Sequence, residues 1–127
     1  MSTEDDLREL ALSLPGTHEQ EAWAMPTWRV GGKIFAALNP KHGPGVKIGQ
    51  GERTELVAAD PEKFYWTPHD ENANFMRVHL GAIDRDELLE VLTDAWRFTA
   101  GPKLAQRLAD SSSTVVAGRS QTKPRQT

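Results

Sequence analysis

Apolar residues fall into a few short periodic runs along the chain, each bounded by a turn signal. Leu7, Leu10, Ala11 and Leu14 sit at the spacing of one helical face. Ser2 or Thr3 can cap that helix, Glu4, Asp5 and Asp6 suit its positive N-terminal end, and Pro15-Gly16 stops it. The pattern predicts a helix over about residues 3–14. Trp28-Arg29-Val30 and Lys33-Ile34-Phe35-Ala36-Ala37-Leu38 are β-favouring runs separated by Gly31-Gly32. Two glycines there predict a tight hairpin, because both can take positive φ without steric cost. With a two-residue loop, Val30 opposes Lys33 and Trp28 opposes Phe35, and opposed residues share a face. Trp28, Val30, Phe35 and Ala37, with Lys33 at the end, then form the core face. Thr27, Arg29, Ile34, Ala36 and Leu38 form the other, so Arg29 and Lys33 are expected on opposite faces.

The remaining segments follow the same logic. Thr17 to Pro26 reads as a polar connector with Trp23 packed inward. Asn39 to Pro44 is a turn carrying Lys41 and His42. In the next strand Val46 and Ile48 alternate with an outward Lys47. Gly49-Gln50-Gly51 leads into a helix that buries Leu56 and Val57 and ends before Pro61. Phe64-Tyr65-Trp66 and Phe75 to Leu80 read as strands around a polar loop. In the second of these, Arg77 and His79 share a face with Phe75. Asp84 caps the longest helix, and Glu87 completes a capping-box spacing. Leu88, Leu92, Ala95, Trp96 and Thr99 form its inward stripe. Gly101 ends that helix, and Pro102 opens a last one packed by Leu104, Ala105 and Leu108. Residues 1–109 are expected as one domain, and residues 110–127 as a disordered tail of Ser, Thr, Gln and scattered basic residues.

Composition narrows the function. The 127 residues suit one domain, and no apolar run reaches the ~20 residues of a membrane span. The acidic first residues lack the apolar core of a signal peptide, so the expectation is a cytoplasmic monomer. With no cysteine there is no disulfide, thiolate metal site or cysteine nucleophile. The net charge is −3, which counts against a general affinity for nucleic acid. Against that background, Thr27 to Gly51 holds Arg29, Lys33, Lys41 and Lys47 and no acid. Local clustering of this kind can outweigh the sum.

Catalytic and metal signals are weak. His18 beside Glu19 and Glu21, and His69 beside Asp70 and Glu71, invite a metal reading. Adjacent side chains in an extended segment rarely converge, and the four histidines have no ligand spacing, so no metal or cofactor is expected. Gly49-Gln50-Gly51 is only a fragment of a phosphate loop, with Glu52 placed to repel an anion. No nucleophile motif is present, and no enzyme is expected.

Several segments together resemble the YjbR (MmcQ-like) family. They are Leu14-Pro15-Gly16-Thr17, Trp28 to Ala36, Val46-Lys47-Ile48, Arg77-Val78-His79-Leu80, Asp84 to Leu88, and Asp94 to Ala100 with Pro102-Lys103. The resemblance implies an α+β, two-layer domain with an antiparallel sheet of about five strands and flanking helices, likened to a double-wing DNA-binding domain. It implies weak, salt-sensitive contact with double-stranded DNA through phosphate. Arg29, Lys41 and Lys47 on the sheet and wing, with Lys33 and Arg53 at the margins, are the candidates for that contact. The alternative is a protein- or small-ligand-binding groove beside the sheet, lined by Trp66, Phe75 and Arg77.

Overall fold

In a computed structural model of the chain, residues 1–116 are described, with side chains through Asp110. The first helix, α1 (Glu4–Leu12), is closed by Thr3 and Asp6, which satisfy each other's backbone N–H groups as a capping box. Four strands follow, β1 (Thr17–Ala22), β2 (Met25–Val30), β3 (Lys33–Asn39) and β4 (Gly43–Lys47). Then come α2 (Gln50–Ala59), β5 (Phe64–Tyr65) and β6 (Phe75–Val78). Two helices follow, α3 (Arg85–Ala100) and α4 (Pro102–Val116). The last helix therefore extends past Ala109 through residues 110–116, and residues 117–127 of the expected tail lie outside the described residues. Among the described residues no helix is long and apolar enough to cross a membrane.

The strands form one sheet in the order β1-β2-β3-β4-β6-β5, with every neighbouring pair antiparallel. This is the α+β architecture expected, with a sixth strand. The extra strand is β1, where a polar connector was expected. Its Thr-His-Glu-Gln-Glu-Ala sequence has no apolar alternation because it is an edge strand, open to solvent along most of its length.

α1 and α3 cover one face of the sheet and enclose the core. Leu7, Leu10 and Ala11 come from α1, and Leu88, Leu92, Ala95 and Trp96 from α3. Trp28, Val30, Phe35, Val46, Ile48, Met76 and Val78 come from the sheet. The Asp84 carboxylate accepts from the Glu87 N–H at 2.8 Å, as its capping role requires. α4 packs Leu104 and Leu108 over the turns at Gly31 and Gly16, which both hold positive φ. A Cβ on either glycine would meet those leucines, so both the backbone and the close approach demand glycine.

The hairpin register needs one correction. Val30 opposes Lys33 as expected, but Trp28 opposes Ala36 and Thr27 opposes Ala37. A bulge beside Phe35 inserts one residue, so the alternation on β3 flips beyond it. Trp28, Val30 and Phe35 stay in the core, Ala36 and Leu38 join them, and Ala37 turns to the opposite face. Trp23 is also corrected. It is not packed inward but lies 79% exposed in the two-residue turn between β1 and β2.

Candidate functional site

The sheet face away from α1 and α3 gathers convergent polar and aromatic chemistry. Across its middle run Thr27, Ala37, Gly45 and Arg77, cross-strand neighbours from β2, β3, β4 and β6. The small residues at the centre leave a low floor. Gly45 is required there because a Cβ would lie 2.1 Å from Phe75 Cε2 and 2.9 Å from Arg77 Nη1. The Phe75 ring thus crosses β4 and lies 4.9 Å from the Arg77 guanidinium.

This floor belongs to an open cleft of about 620 Å³. Met25, Ile34, Ala37 and Phe75 supply its apolar lining, and Trp23 and Phe98 stand at its rim. Four basic residues, Arg29, Lys33, Lys47 and Arg77, line it against one acid, Asp70. That acid is already neutralised. Arg77 Nη2 and Nε donate to the two Asp70 carboxylate oxygens at 2.7 and 3.0 Å, both residues being buried. Arg77 Nη1 also donates to the Gly43 carbonyl. Burial alone would raise the Asp70 pKa, but hydrogen bonds from Arg77 and Thr67 and the guanidinium charge outweigh it and hold the carboxyl below its ordinary range.

The remaining three cations differ. Arg29, Lys33 and Lys47 are in none of the ion pairs formed among the described residues. The Arg29 side chain donates from Nε to the Thr27 hydroxyl, at 3.4 Å. Arg29 and Lys33, expected on opposite faces, line the same cleft. Lys33 is the first residue of β3, and a long stem at a strand end can reach round to either side.

Two expected phosphate contacts fall elsewhere. Lys41 is exposed on the β3–β4 turn, outside the cleft lining, where the Asn39 side chain accepts from its N–H. Arg53 is buried, which removes it from the basic surface. Its Nη1 donates to the carbonyls of Asp70, Ala73 and Phe75, and its Nη2 to that of Glu71. Arg53 therefore pins the loop before β6 rather than meeting a ligand. In the groove alternative, Phe75 and Arg77 do line the cleft. Trp66 does not, because its ring lies 4.7 Å from the Arg53 guanidinium.

Three of the four histidines, His42, His69 and His79, take part in ring stacks. His42 stacks on His69 with centroids 4.5 Å apart, and Tyr65 stacks on His79 at 4.2 Å. Desolvation, then the charges of His69, Arg77 and Lys41, pushes the His42 pKa down. Tyr65 donates its hydroxyl to the His42 carbonyl, so the β3–β4 turn is tied to β5. Among the described residues no group of three or more His, Asp and Glu converges as a metal site.

The element missed in the sequence is Trp23. Trp23 and Ala24 both take positive φ, 51° and 62°, in a turn that usually selects asparagine and glycine. The left-handed region costs a residue with a Cβ about 1–2 kcal/mol. Ala24→Gly is therefore expected to stabilise the protein by about 1 kcal/mol, read as a higher midpoint in urea denaturation. An unchanged or lower midpoint would mean that the turn carries no strain.

Comparison with known proteins agrees with this architecture. The YjbR family model matches residues 12–98. Uncharacterised proteins of Mycobacterium bovis and Mycobacterium tuberculosis are each 30% identical over 131 residues, covering 88% of this chain and 99% of theirs. The crystal structure of Deinococcus radiodurans protein DR2400, a DUF419 domain, superposes with a TM-score of 0.68 at 21% identity, over 87% of this chain and 88% of that one. That likeness concerns the fold. With the family match spanning most of the chain and the mycobacterial relatives matched almost end to end, the chain belongs to the YjbR family.

Proposed function

We propose that this chain is a nucleic-acid-binding protein that grips phosphate in the sheet-face cleft through Arg29, Lys33 and Lys47. The observation that carries the reading is the convergence, on one cleft of an acidic protein, of three cations that have no ion-pair partner among the described residues. Unpaired side chains keep their donors for a ligand, and phosphate is the anion that basic clusters of this kind serve best. Lys41 becomes peripheral, and Arg53 becomes structural.

Phosphate contacts make binding fall with salt, with a slope set by the number of contacts. Lys47→Glu is expected to weaken binding of a labelled oligonucleotide at least 10-fold and to flatten the salt slope. Its melting temperature should match the parent, because Lys47 makes no ion pair among the described residues. Unchanged affinity in a folded Lys47→Glu protein would move the function to a small-molecule or protein partner.

A further inference from the structure

The shape of the cleft says which form of nucleic acid it suits. The three cations lie with an apolar floor and three aromatic residues, Trp23, Phe75 and Phe98. A stacked duplex offers a charged outer backbone and keeps its base faces inside. An unstacked strand can put a phosphate and the adjoining base into one cleft, and aromatic side chains then take the base face with little regard to sequence.

Trp23 is the most informative of these residues. A tryptophan 79% exposed at a hairpin tip contributes little to a core. It is also held by a strained left-handed backbone, next to a second residue in the same state. Such strain persists where the position serves a function that a relaxed turn would not. Phe98, near the end of α3, is 50% exposed at the same cleft. Both are large apolar side chains left open beside unpaired cations, the combination that single-strand binding surfaces use.

We infer that the cleft takes single-stranded rather than duplex nucleic acid, with a base stacked on Trp23 and its neighbouring phosphates held by Arg29, Lys33 and Lys47. The inference rests on the phosphate reading above but adds the base and the strand form to it. The same chemistry occurs in a free nucleotide, which offers one base and no continuing backbone.

Anisotropy of a labelled mixed-sequence oligodeoxynucleotide, alone and annealed to its complement, tests this with the whole chain at low salt. The single strand is expected to bind at least 10-fold tighter than the duplex. Trp23→Ala should lose about 10-fold on the single strand and little on the duplex, whereas Lys47→Glu should weaken both. Trp23→Phe, which keeps a ring, should recover most of the loss. Equal or tighter binding of the duplex, or full affinity in Trp23→Ala, would overturn the stacking inference and leave the phosphate reading standing. Displacement of the strand by a nucleoside monophosphate at equal phosphate concentration would overturn the choice of a strand over a nucleotide. Absence of binding to either oligonucleotide would overturn both readings.

Discussion

Replacing Asp70 with alanine is expected to cost about 3–5 kcal/mol, because it strands the buried Arg77 guanidinium without its carboxylate. Asp70 Oδ2 accepts from the Thr67 N–H and hydroxyl as well as from Arg77 Nε, so one substitution orphans several donors. The double replacement Asp70→Ala with Arg77→Met should cost less than the sum of the singles, since an apolar pair leaves no buried charge behind. Chemical denaturation of the four proteins checks both statements. A loss under about 1 kcal/mol for Asp70→Ala would show that water reaches Arg77 freely. The pair also predicts an acid limb. The folded pKa of Asp70 is depressed, so its contribution is present above the ordinary carboxylate range and is lost as pH falls through the folded value. Asp70→Asn should remove that part of the pH dependence.

Trp28→Ala is expected to cost a similar amount, about 3–5 kcal/mol, through the cavity it leaves between the sheet and the helices. Trp28 has no exposed surface, and the Arg8 guanidinium lies 5.9 Å from its ring. Its indole N–H is buried without a hydrogen-bond partner. Trp28→Phe should therefore be markedly milder than Trp28→Ala, because it retains an aromatic ring and removes an unsatisfied donor. Equal losses for the two variants in denaturant titrations would contradict this account.

The two substitutions mark what the sequence could and could not convey. Trp28, Val30 and Phe35 were legible as core because alternation and the Gly31-Gly32 turn fix which side chains share a face. The bulge at Phe35 was not legible, since nothing local distinguishes an inserted residue from a paired one. It moved Ala37 into the cleft floor and Ala36 into the core. Strand β1 was hidden because an exposed edge strand needs no apolar positions. Arginines presented the hardest case. Residue type alone cannot separate an open Arg29 from Arg53 or Arg77, whose guanidiniums are occupied by carbonyls and a carboxylate contributed from elsewhere in the chain. Trp23 was misplaced for the opposite reason. Tryptophan is normally buried in part, and only the backbone shows that this one is displayed.

The polar character that hid β1 has a consequence for the solution behaviour of the protein. The outer edge of a sheet offers unpaired N–H and C=O groups on which another chain can grow, and an apolar edge of that kind seeds aggregation. Here the six-residue outer strand carries His18, Glu19, Gln20 and Glu21, with Glu19 tied to Arg8 at 3.0 Å. Any strand arriving in register would have to strip water from those carboxylates. At the other edge β5 is only two residues long, too short to template a partner. The sheet is guarded at both ends, by charge on one side and by brevity on the other, while its central face stays open.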